Sequence, residues 1–158
     1  MTRLAPILFC LLAFAIASCG GGDDGDEAPS QADFANRANE ICRQTEASLE
    51  KVGEGAETPQ EIVDAVDRVI AESRDAVDQL ADLDRPDGPA GQRAEEFVEA
   101  TRRQIEDEGI PALEDLRGAI ESGDRKAVGE AAARLQNIDS GDSNRAAREV
   151  GAGECAEG

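Results

Sequence analysis

From Cys19 to the end of the chain only 23 of 140 residues are Val, Ile, Leu or Phe, so any core must be built from very few large apolar side chains. For a highly charged chain, so low a fraction belongs to the range of disordered polypeptides. The spacing of those residues argues the other way. Ile62, Val66, Val69, Ser73, Ala76, Leu80 and Leu83 alternate steps of four and three, as the contact seam of a left-handed helix bundle requires. The segments carrying such patterns are rich in Ala, Glu and Arg, which lose little on entering a helix. No stretch alternates apolar and polar residues as a half-buried strand would. The expected class is therefore all-α, an antiparallel four-helix bundle with a thin core.

Start and stop signals divide the bundle. Ser30 with Asp33 forms a capping box whose acid is one carbon short, and Phe34, Ala38, Ile41, Thr45 and Leu49 carry a first helix to about Val52, ended by Gly53-Glu54-Gly55. Thr58-Pro59-Gln60-Glu61 is a full start signal for a second helix reaching about Leu83. After the turn Asp84 to Pro89, Phe97, Val98, Thr101 and Ile105 mark a third helix, and Leu113, Leu116 and Ile120 resume it beyond Gly109-Ile110-Pro111. Proline in that place implies either a kink or a split. Val128, Ala131, Leu135 and Ile138 give the fourth helix, and Ala146 to Val150 at most a further turn before Gly151. Phe34 and Phe97 both fall on apolar seams, which makes them core residues.

The first 18 residues read as an export signal. Met1-Thr2-Arg3 supplies one positive charge and Leu4 to Ala17 an almost unbroken apolar run, too short for a retained span of roughly 20 residues before the acids at Asp23 and Asp24. Ile16-Ala17-Ser18-Cys19 resembles the bacterial lipobox, and the resemblance implies a diacylglyceryl group on the Cys19 thiol and cleavage ahead of it. An ordinary secretory cut after Ala17 also fits the small-residue rule. The expected organisation is a lipoprotein signal peptide over 1–18, lipidated Cys19 with a flexible acidic tether over 19–29, and a helical domain over 30–158. A tether of that composition reaches roughly 17 to 19 Å, which keeps the domain close to the membrane surface.

Cysteine arithmetic supports lipidation. Cys10 leaves with the signal peptide and three cysteines remain, an odd number that would leave a spare thiol in an exported protein. With Cys19 acylated by palmitate-type chains, Cys42 and Cys155 are left as a pair, and an oxidising compartment makes them a disulfide tying the carboxyl-terminal tail to the first helix. The bland alternative is two buried thiols packing as small apolar groups.

Charge and composition exclude most chemistries. The formal net charge is −19, and −20 once Arg3 is lost. Such a balance repels phosphate backbones, so nucleic acid is not an expected partner, and the membrane is reached through the lipid on Cys19. With no His and two thiols besides Cys19, imidazole-based triads and structural zinc lack their ligands, and no cofactor or metal is expected. Without Trp or Tyr no sugar-stacking cleft can be built, which removes the glycosidase route to catalysis by carboxylates alone. No enzyme is expected. Asp64, Asp67, Asp75, Asp78 and Asp82 share one side of the second helix, opposite its seam. Calcium or a cationic partner could bind there loosely, but a solvated face with Arg68 and Arg74 as helix-spaced partners is the expected reading.

Ala35-Asn36-Arg37-Ala38-Asn39-Glu40-Ile41-Cys42, with Gly151-Ala152-Gly153-Glu154-Cys155 at the end, resembles small exported helical lipoproteins of high-GC actinobacteria, as does the preference for Arg over Lys. No functional residue comes with the resemblance. The expectation is a lipid-anchored binding or structural module of the cell envelope, on the outer face of the membrane. The alternative is a helical solute- or cation-binding lipoprotein. The sequence names no protein or small-molecule partner.

Overall fold

A computed structural model describes residues 28–156, and the expected signal peptide, Cys19 and all but the last two residues of the tether lie outside the described residues. The described residues hold helices and no strand. Both capping boxes form. In α1 (Gln31–Leu49) Ser30 Oγ accepts from the Asp33 N–H at 3.2 Å and the Asp33 carboxylate accepts in return from the Ser30 N–H at 3.2 Å, so the shorter acid still closes the box. In α2 (Pro59–Asp82) the Glu61 carboxylate accepts from the N–H groups of Thr58 and Glu57 at 2.8 and 2.9 Å, while Thr58 Oγ1 accepts from the Glu61 N–H at 3.3 Å.

Arg85 finishes α2. Its guanidinium donates to the Leu80 and Ala81 carbonyls at 3.2 Å and to that of Leu83, supplying partners for carbonyls that the helix end leaves open. The same group lies 5.5 Å from the Phe34 ring centroid, as a cation over an aromatic face. The turn into α3 (Gly88–Arg102) is so close that a Cβ on Gly91 would stand 2.1 Å from the Pro86 carbonyl oxygen; only glycine fits there.

The third helical stretch is not split at Pro111. It continues from α3 through a π-helical segment, Arg103–Gly109, into α4 (Ile110–Ser122). Proline has no N–H to donate, and in a regular helix its ring meets the carbonyl four residues back. A wider turn, in which the Ile110 N–H bonds to the Ile105 carbonyl, carries the chain past that obstacle. Asp124 then caps α5 (Arg125–Gln136), accepting from the N–H groups of Lys126 and Ala127 at 3.0 and 3.1 Å. The last α-helix, α6 (Gly141–Val150), is ten residues long where the sequence suggested a single turn. Its buried face is Ser143, Ala147 and Val150, too small and too polar to register as an apolar seam.

Two clusters make the core. The larger joins Phe34, Ala38 and Ile41 of α1, Leu80 of α2, Phe97 and Val98 of α3, and Ala147 and Val150 of α6 with Ala152 and Ala156 of the tail. Phe34 and Phe97 meet edge to face, centroids 6.3 Å apart, as their seam positions implied. The smaller cluster is Val66 and Ile70 of α2 with Ile110, flanked by Ile105, Leu113 and Leu116. The main core is thus surrounded by α1, α2, α3 and α6, while α5 packs on α4 and buries only Ala131. The seam of α2 is rotated from the expected one. Val63, Val66, Ile70, Val77 and Leu80 are buried, whereas Ile62 is 40% exposed. Val66, Ala76 and Leu80 are buried and belong to the expected stripe as well, so periodicity alone does not choose between the two.

Candidate functional site

The two motifs at opposite ends of the domain close on each other. Cys42 and Cys155 form a disulfide, with Cα atoms 5.2 Å apart and a sequence separation of 113. Three residues earlier on α1, a little under one turn, Asn39 uses both ends of its amide: Nδ2 donates to the Gly151 carbonyl at 3.3 Å, and Oδ1 accepts from the Glu154 N–H at 2.9 Å. Gln31 donates to the Glu149 and Val150 carbonyls, each at 3.3 Å, so α1 also supplies partners for the end of α6. Gly151 turns the chain at φ 90°, and a Cβ there would press on that of Ala35 at 3.4 Å. A 3₁₀ turn, Gly153–Ala156, then seats Ala156 in the core. Ala35, Ala38, Asn39 and Cys42 are accordingly one face of α1 shaped to hold the tail. The cysteine count made the disulfide legible; Asn39 and Gln31 carried no signal until α6 and the tail lay beside them.

Beside this clasp is an open cleft of about 200 Å³. The disulfide, Ala76, Leu80 and Ile105 give it an apolar floor, with Thr45, Gln104 and Asn144 among its polar walls and Glu46 and Glu154 its ionisable groups. Thr45 Oγ1 donates to the Ile41 carbonyl at 3.0 Å, and Asn144 Nδ2 donates to Ser140 Oγ at 3.0 Å. Ser143, 7% exposed, is bonded to Gln104 Oε1 and lies 3.0 Å from the Ser140 carbonyl. A smaller hollow of about 100 Å³ adjoins it across Gln104 and Ile105, with Leu113 and Ile138 in its lining.

The carboxylate stripe is solvated and partly tied to α4. Asp64, Asp67, Asp75, Asp78 and Asp82 are all exposed. Arg68 and Arg74 do not pair with them as helix spacing suggested: Arg68 donates to the Asp64 carbonyl at 3.4 Å, and Arg74 reaches Glu114 of α4 at 3.5 Å. Asp67 instead accepts from Arg117 of α4 at 2.9 Å, a bond that holds the guanidinium pKa above its ordinary value. Gln60 and Gln79 donate to Asp64 and Asp75 at 2.9 and 2.6 Å. Among the described residues no group of three or more His, Cys, Asp and Glu side chains is placed to hold a metal ion. A broader surface groove of about 520 Å³ runs between α3 and α6; of the five acids in its walls, Glu95, Glu99 and Asp142 are paired with Arg85, Arg102 and Arg145, and Glu96 and Glu149 are the other two. No helix among the described residues is long and apolar enough to cross a membrane.

Comparison with known proteins returns nothing similar: no family model, no curated protein and no solved structure matches the chain.

Proposed function

We propose that the chain is a lipid-anchored extracytoplasmic protein whose helical domain serves the cell envelope as a binding or structural module rather than as a catalyst. The observation that carries this reading is the pairing of Cys42 with Cys155. It accounts for every cysteine after the apolar leader except Cys19, the one in the lipobox-like sequence, and a structural disulfide belongs to an oxidising compartment. The missing histidine and stacking aromatics argue in the same direction for a protein that holds something without transforming it. The short acidic tether would keep such a domain within about 20 Å of the lipid. Inhibition of the lipoprotein signal peptidase by globomycin is expected to accumulate an unprocessed precursor, and Cys19→Ser to release the domain into the medium. A mature amino terminus at Ser18, read by mass spectrometry, refutes the anchor.

A helical solute- or cation-binding lipoprotein is the second reading. The cleft beside the clasp favours it, because several elements converge on a recess that the core does not fill.

A further inference from the structure

We propose that the cleft beside the Cys42–Cys155 disulfide binds a short-chain primary amine, with the ammonium group at its acidic edge and the alkyl body on its apolar floor. The Thr45 hydroxyl proton is spent on the Ile41 carbonyl and one of the two Asn144 amide protons on Ser140, and both side chains keep oxygen lone pairs to offer. Glu46 and Glu154 are exposed carboxylates, which accept and cannot donate, and no Lys or Arg lines the cleft among the described residues. Gln104 and Asn144 keep amide N–H groups, so neutral donors and acceptors are both present, and it is the two carboxylates, the only charged groups among the described lining residues, that select a cation. An ammonium brings a positive charge and three donors, which the two carboxylates and the Thr45 and Asn144 oxygens can accept.

Size and polarity narrow the class further. At roughly 30 Å³ for each water, about 200 Å³ has room for some six or seven non-hydrogen atoms, below the usual range of drug-sized sites. Leu80, Ala76, Ile105 and the disulfide offer an apolar surface that a hydrated metal ion would leave unused. The adjoining hollow across Ile105, with Leu113 and Ile138, extends that surface in the direction an alkyl chain would follow. This inference deepens the solute-binding reading and is independent of the lipid anchor, so either can fail while the other stands.

The test uses the oxidised full-length chain in detergent micelles and three probes at matched ionic strength: n-pentylamine, ammonium chloride and sodium pentanoate. Titration followed by amide chemical shifts is expected to saturate with n-pentylamine, moving residues 42–46, 101–105 and 154–155. Ammonium, which lacks the body, and pentanoate, which has the wrong charge, are expected to leave them in place. Glu46→Gln with Glu154→Gln should weaken n-pentylamine at least tenfold. Asp75→Asn with Asp78→Asn, the same charge change on the α2 stripe, should alter it less than twofold. Both substitutions fall on exposed positions, and the disulfide and helix content of each variant are checked first. Equal weakening by the two double variants would mean general attraction to an acidic surface and overturn the site, as would shifts caused equally by ammonium or the absence of saturation.

Discussion

Asn39 and the two capping acids show how much single polar side chains contribute to a chain with so few large apolar ones. Asn39 satisfies a carbonyl and an N–H of the tail together, and each such bond is worth about 1 kcal/mol net. Asn39→Ala is expected to cost about 1–2 kcal/mol in denaturant unfolding. Asn39→Asp should recover only the half that accepts from Glu154. A loss below the error of the measurement in both variants would show that the disulfide alone holds the tail. The capping acids give a pH dependence of known sign. The Ser30 hydroxyl and N–H hold the Asp33 carboxyl below its ordinary 3.8, and the backbone N–H groups of Thr58 and Glu57, with the Thr58 hydroxyl, hold Glu61 below its ordinary 4.5. A carboxylate whose pKa is lower folded than unfolded adds stability that is complete above the unfolded value and is lost as the pH falls through the folded one. Stability should therefore decline from about pH 5 downward, and the decline should be shallower in Asp33→Asn with Glu61→Gln. Identical slopes in wild type and variant would count against a role for the caps in acid unfolding.

Among the elements, the π-helical segment is the feature that regular periodicity mistakes for an interruption. From Thr101 to Ile105 the apolar step is four, from Ile105 to Ile110 it is five, and from Ile110 to Leu113 it is three. A step of five is the spacing of an i to i+5 hydrogen bond, and the Ile110 N–H makes that bond to Ile105. The signal was present in the sequence, but Pro111 beside it pointed to a break. Elsewhere what was legible followed side-chain size and chemistry. Caps, glycine stops and the Phe seams could be read because each rests on one residue type with one strong preference, while α6 and the rotation of α2 depend on what packs against them. A π segment amounts to one residue inserted into an α-helix, so deleting exposed Glu108 should let the seam close to a step of four. Pro111 would then sit in a regular helix, at a cost of about 3 kcal/mol. Deletion of Glu108 alone should destabilise the domain, and deletion combined with Pro111→Ala should recover most of the loss while circular dichroism stays helical. A deletion no better tolerated with Pro111→Ala than without it would mean that the π turn is required for packing and does not merely accommodate proline.

For the whole molecule, the division into two clusters decides where the disulfide acts. The clasp closes the larger cluster, which holds both Phe side chains, α6 and the tail; the smaller cluster and the α4–α5 pair lie beyond it. Two effects should therefore separate on removing the bond. The first acts on the unfolded chain: a cross-link between residues 113 apart restricts it by about 4.7 kcal/mol in the loop-entropy model, which for a domain of this size corresponds to a fall in Tm on the order of 15 °C in Cys42→Ser with Cys155→Ser. The second acts on the folded chain. Without the covalent tie, Ala152 and Ala156 are retained by Asn39 and their own burial, so residues 151–156 and then α6 should open at a lower free energy than α2 and α4. Hydrogen exchange read by mass spectrometry, oxidised protein against the double serine variant under conditions where both remain folded, separates the two. The expected pattern is a large loss of protection in α6 and the tail, a smaller one in α1 around Asn39, and least change in α2 from Val63 to Ile70 and in α4. A uniform loss across all helices would mean that the domain opens only as a single unit, with the clasp acting through the unfolded chain alone.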